Sequence, residues 1–230
     1  MSETVPVLTA GRWRTRRSAA VAGIVFGVLL IVALVLIRVA ITGGSLADLA
    51  GDPRRQTLVR VGLNLVPFAG IAFLWFIGVV RDQLGQVEDR LFSSVFLGSG
   101  LLFLAMLFQG AVTATGLIEL ATGPTPDAGA WELGRSTTQT LVSVYAMRMA
   151  AVFTLSVSTV ALRTGAVHRA VAYSGYAVGL VLLVAAGAHP WSQLVFPAWV
   201  LGLSVAILVT RPREAPRTPQ EGPPTGGPPA

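Results

Sequence analysis

Arg148 makes the clearest chemical claim in this chain: it is a single full charge near the centre of the apolar stretch at residues 137–162 (TTQTLVSVYAMRMAAVFTLSVSTVAL). A guanidinium in hydrocarbon costs a few kcal/mol or more unless it meets water, a partner or a ligand. Tyr145 lies one turn earlier on the same helical face. Two amides, Asn64 and Gln109, interrupt other apolar stretches. With the helices oriented by the charge count below, Arg148, Tyr145, Asn64 and Gln109 all fall in the outer half of a bundle. They form the ligand-binding cluster expected from the sequence. Glu119 is the nearest carboxylate, roughly 20 Å farther out along the membrane normal by helical rise. With no acid at its depth, Arg148 needs either carbonyls and amides within the protein or a bound anion or lipid headgroup.

Other chemistry is thinly represented. There is no cysteine and no lysine, which excludes disulfides, thiolate metal sites, cysteine nucleophiles and Ser–Lys dyads. Leu97-Gly98-Ser99-Gly100 resembles the GxSG nucleophile of rhomboid-type intramembrane proteases, but Leu97 replaces the first glycine. The two histidines, His168 and His189, fall at opposite membrane boundaries rather than beside Ser99, outside the reach a Ser–His pair requires. They make no zinc site either. Glu119, Asp127, Glu132 and His189 are the weaker candidate set for an outer cation; loop carboxylates are normally solvated. No catalytic constellation, cofactor or metal is expected.

The elements that must position these residues are membrane helices. The chain is 53% hydrophobic and only 12% charged over 230 residues, with a mean hydropathy of +0.69. A soluble domain carries about 25% charged residues. The apolar residues come in long runs, the signature of membrane spans. Six spans are expected, at about 19–41, 58–80, 91–120, 137–162, 170–188 and 191–210: an all-α six-transmembrane-helix bundle. Residues 1–18 read as a basic cytoplasmic segment ending in RWRTRRS. Residues 211–230, rich in proline, read as a disordered cytoplasmic tail. A secretory or twin-arginine signal fits poorly, because the first apolar run exceeds a signal core and no cleavage site closes it.

Several local features are expected within the spans. Pro67 should kink the second and Pro197 the sixth. The third is long enough to tilt or project. Residues 121–136 read as the longest loop between spans, with Trp131 as an interfacial anchor. Small residues recur every four positions at Ala19, Gly23 and Gly27, at Gly175 and Gly179, and at Ala146, Ala150, Thr154 and Ser158, and such ridges permit close helix approach. Arg38 reads as a side chain that snorkels to the interface.

The net charge of +6 is carried by arginine alone. Arginines sit at helix ends, which topology explains better than nucleic-acid binding. With the N-terminus inside, eleven arginines (12, 14, 16, 17, 81, 90, 163, 169, 211, 213, 217) fall on one side and five (38, 54, 55, 60, 135) on the other. Both termini are therefore expected in the cytoplasm.

Three segments, RVGLNLVPFAGIAFLWFIGVVRDQLG, VYAMRMAAVF and VFPAWVLGLSV, resemble multi-pass integral membrane proteins of high-GC Gram-positive bacteria over roughly residues 58–205. The resemblance implies a bacterial plasma-membrane location and brings no activity, cofactor or catalytic residue. The leading expectation is a non-enzymatic structural or accessory protein whose partners are the lipid bilayer, other helices or further copies of itself. The alternative is a transporter or binding protein for a small anionic or lipid ligand, with an outward-facing cavity at Arg148. A membrane-embedded enzyme comes last.

Overall fold

Long apolar runs leave the backbone no partner but itself in lipid, and helix is the result. A computed structural model describes residues 8–41, 46–84, 90–124, 127–164, 168–189 and 191–209. Its elements are α1 (Leu8–Ile41), α2 (Leu46–Gly51), α3 (Pro53–Leu84), α4 (Arg90–Thr122), α5 (Ala128–Thr140), a π-helical turn (Leu141–Ala146), α6 (Met147–Thr164), α7 (Arg169–Ala185), a 3-10 turn (Ser192–Leu194) and α8 (Val195–Val209). Five helical stretches are long and apolar enough to cross a membrane. The sixth apolar helix, α7, has 17 residues, at the lower limit for a span. The chain is an all-α membrane protein. The Pro-rich tail and residues 85–89 lie outside the described residues.

The helices close into an antiparallel ring in the order α1, α3, α4, α5–α6, α7, α8. Small residues set its tightest seams, as their spacing predicts. Gly23 faces Ser204 and Phe76, while a methyl group added at Gly27 would come within 3.0 Å of the Pro197 carbonyl oxygen. Gly175 meets Ser158 and Trp199, and Gly179 approaches the Ala151 carbonyl. Ala146, Ala150, Thr154 and Ser158 are fully buried.

Phenylalanines fill the ring. Phe26, Phe73, Phe76, Phe96, Phe103, Phe153 and Phe196 are all fully buried, with ring centroids as close as 4.5 Å for Phe26–Phe73 and 4.9 Å for Phe103–Phe196. Tilted and edge-to-face pairs of this kind suit the aromatic quadrupole. A second, outer core gathers Leu49, Val59, Leu63, Ala114, Leu117, Ile118, Ala121 and Trp131 from α2–α5.

Three local expectations need correction. Residues 128–136 are helix, not loop. The Asp127 carboxylate caps α5 by accepting from the backbone N–H of Gly129 (2.8 Å) and Ala130 (3.1 Å), and α5 then runs unbroken through the π-helical turn into α6. Trp131 is buried in the outer core rather than anchored at an interface. Pro197 is the third residue of α8, within the first turn, where a missing N–H removes no helical bond and no kink is needed. Pro67 lies inside α3, which stays helical from Pro53 to Leu84.

Candidate functional site

The expected cluster does not form. Arg148, Tyr145, Asn64 and Gln109 are all exposed on the outer surface of the ring. Among the described residues, no hydrogen bond or ion pair engages any of their side chains. Gly110 packs against Val142, which sets Gln109 about 8 Å outward of Arg148 by helical rise. Asn64 sits on α3, separated from α6 around the ring by α4. The inward positions are occupied by phenylalanines and small residues, so these polar groups face away from the core.

A different set of polar residues does converge. Between the phenylalanine core and the outer core lies a cavity of about 280 Å³. α1 lines it with Leu34, Ile37 and Arg38, α3 with Leu63 and Val66, and α4 with Leu107, Gly110, Ala111, Ala114 and Leu117. The opposite wall is Arg135, Thr138 and Gln139 of α5, Val142 and Ser143 of the π-helical turn, and Gln193 of the 3-10 turn. One wall is mainly aliphatic; the other carries the amides and hydroxyls.

Local structure explains how this wall is built. Arg135, Gln139 and Ser143 recur every four residues and so share one helical face. At the junction, the Leu141 N–H is shared between the carbonyls of Thr137 and Thr138, and the wider turn that follows carries Val142 and Ser143. Single π-helical turns of this kind occur preferentially at functional sites. Gln193 is brought in from the far side of the ring. Its Oε1 accepts a long bond (3.4 Å) from Ser143 Oγ, and the preceding Trp191 lies under the Arg38 guanidinium, 4.9 Å from ring centroid to Cζ.

The electrostatics are one-sided. Two arginines line the cavity and, among the described residues, no Asp or Glu does. Arg135 has a loose pair with Glu132 at 3.9 Å, with both side chains well exposed, an arrangement that holds little charge back from a competing anion. The side chain of Gln139 and the Gln193 amide nitrogen make no hydrogen bond among the described residues, so donors remain for a guest.

The remaining sequence candidates stand apart. Ser99 is buried within α4 and donates to the Phe96 carbonyl at 3.0 Å. His168 caps α7, accepting from Ala170 N–H. His189 accepts from Trp191 N–H in the α7–α8 connection. Among the described residues, no three His, Asp or Glu side chains gather where they would hold a metal ion.

The sequence reading missed Arg135, Thr138, Gln139, Ser143 and Gln193, and took Arg38 only as a snorkelling side chain. The four-residue repeat Arg135-Gln139-Ser143 was the available signal, hidden by taking residues up to 136 as loop. Comparison with protein-family models, with curated proteins and with solved structures finds no match.

Proposed function

We propose that this chain is a non-enzymatic protein of the bacterial plasma membrane that binds a small amphipathic anion in a cavity facing outward. The observation that carries this reading is the lining itself: Arg38 and Arg135, with no Asp or Glu among the described lining residues, beside an aliphatic wall. A carboxylate or phosphate head suits the guanidinium groups, which bind such groups through two parallel hydrogen bonds. A short hydrocarbon body suits Leu34, Leu63, Val66 and Leu107. The volume, near the lower end for ligand pockets, matches a small molecule rather than a two-chain lipid. The eleven-to-five arginine asymmetry supports an outward orientation of the cavity. Beneath it the phenylalanine core closes the route to the inner side, which favours reception of a ligand over open conduction. The arginine-only basic composition and the resemblance noted above support the bacterial membrane.

The test is octanoate binding to purified protein in nanodiscs, with octyltrimethylammonium as the cationic control. Octanoate should bind and the control should not. Arg38→Gln and Arg135→Gln should each weaken binding about tenfold, as expected for loss of a charge-assisted contact, while Arg148→Gln leaves it unchanged. Equal binding of both probes, or indifference to both cavity substitutions, overturns the reading. An accessory role in a larger assembly is the second reading, favoured by the outward-facing Arg148.

A further inference from the structure

One side of the ring is lower than the rest. α7 has 17 residues, roughly 25 Å of rise. The chain then turns at Gly187, whose φ is 81°, close beside Val144 of the π-helical turn. It returns through Gln193 into α8. α5 continues outward past this connection, from the π-helical turn to Ala128. Among the described residues, α1 packs on α3 and α8, α5 packs on α4, and no seam joins α1 to α5. The outer part of the ring is therefore open between α1 and α5, with the α7–α8 connection as the sill.

The cavity stands at that opening. Arg38 lines it from one lip, Arg135 and Gln139 from the other, and Gln193 from the sill. Gln139 lines the cavity and is exposed. Gln193 is only 8% exposed. Its oxygen accepts from Ser143, while its amide nitrogen makes no hydrogen bond among the described residues. A buried donor is costly to leave unmet, so this one points to a guest.

Helical rise sets the level of the opening. Arg38 comes 20 residues after Ser18, where the first apolar span begins, and Ser143 comes 20 residues before Arg163, at the inner end of α6. Each count gives roughly 30 Å, the thickness of the hydrocarbon layer. Both lips and sill thus stand at its outer edge, with the aliphatic wall beneath; Leu34 is one turn inward of Arg38. An acid dissolved in the outer leaflet holds its carboxylate at that same edge and its chain inward. A guest with its head at Arg38 and its chain along Leu34 has the same orientation, so it passes the opening without turning over or leaving the bilayer.

We infer that the cavity is filled sideways from the outer leaflet, through the opening between α1 and α5, by a single-chain lipid acid. The inference rests on the anion-binding reading above and adds the class of guest and its source.

The experiment is stopped-flow binding of octanoate, decanoate and dodecanoate to the full-length chain in nanodiscs, at one fixed free aqueous concentration. Entry from the bilayer makes the association rate rise about fifteenfold for each two methylenes, in step with bilayer partition. Entry from water leaves it nearly constant. Val39→Cys and Ser136→Cys, at exposed positions beside the two lips, are then bridged with a flexible bis-maleimide. The bridge should slow association and dissociation alike by about tenfold, as a closed gate does, with affinity unchanged; the unbridged pair should keep the original rates. Association independent of chain length overturns the inference and leaves the anion site standing, as does a bridge that forms without slowing entry. Failure of octanoate to bind at all overturns the earlier reading and this one with it.

Discussion

The guanidinium carbon of Arg38 stands 4.9 Å from the ring centroid of Trp191, joining the outer end of α1 to the connection between α7 and α8. That contact closes the ring at the level of the cavity. It holds one of the two cavity cations and, through the 3-10 turn that follows Trp191, sets Gln193 opposite it. A cation over an indole is worth roughly 0.5–1 kcal/mol where exposed and more when desolvated. Trp191→Ala should therefore weaken octanoate binding about three- to tenfold, with Trp191→Phe intermediate, measured by calorimetry in nanodiscs.

The chain has no cysteine, so single cysteines report access without background. Cysteine at Gln139 or Ser143 should react with a membrane-impermeant maleimide added to intact cells. Cysteine at Phe103, in the closed core, should not. Octanoate should slow labelling at Ser143.

The seams between helices make a sharp contrast among glycines. Gly23→Leu and Gly175→Leu force a side chain into Ser204 and Ser158 respectively, and overpacking of this kind costs about 1–3 kcal/mol or more. Gly78→Leu and Gly98→Leu enter open space and should change stability by less than about 0.5 kcal/mol. Thermal unfolding in one detergent, followed by size-exclusion, separates the two pairs.

Asp127 holds the first turn of α5, and that turn positions Arg135 and Gln139. Asp127→Ala should cost about 1 kcal/mol and raise amide exchange through residues 128–132, with Asp127→Asn or Ser restoring most of the protection. Octanoate affinity should fall modestly with the loss of the cap.

Phe73 touches four other rings of the core besides Phe76. Phe73→Ala should destabilise the protein by about 3–5 kcal/mol. It should also open the cavity floor, so that a cysteine at Phe103 becomes labelled from outside; Phe73→Leu should keep the floor closed.

Much of the architecture was legible because membrane burial is written in composition and run length. Backbone in lipid must satisfy itself, so an apolar run of sufficient length becomes a helix whatever its neighbours. Small residues at four-residue spacing likewise declared the seams at Gly23, Gly27, Gly175 and Gly179, since no other side chain permits that approach. Residues 128–136 were misread because glycine, serine and a glutamate lower their hydropathy, although Asp127 already carried a capping signal.

The candidate site was much less legible. Polarity along a span says that a residue needs company; it does not say on which side that company waits. Arg148, Tyr145, Asn64 and Gln109 looked like one inward cluster because their depths agreed roughly and their rotational settings were unknown. Helical phase relative to neighbours is a tertiary quantity, decided here by where seven phenylalanines fill the ring and where the π-helical turn re-aims Val142 and Ser143. What the sequence determined alone was a membrane bundle of apolar helices with an expensive charge in the outer half of one of them. Only the tertiary structure decided that this charge faces outward, and that Arg38, Arg135, Gln139, Ser143 and Gln193, drawn from positions far apart in the chain, line the cavity instead.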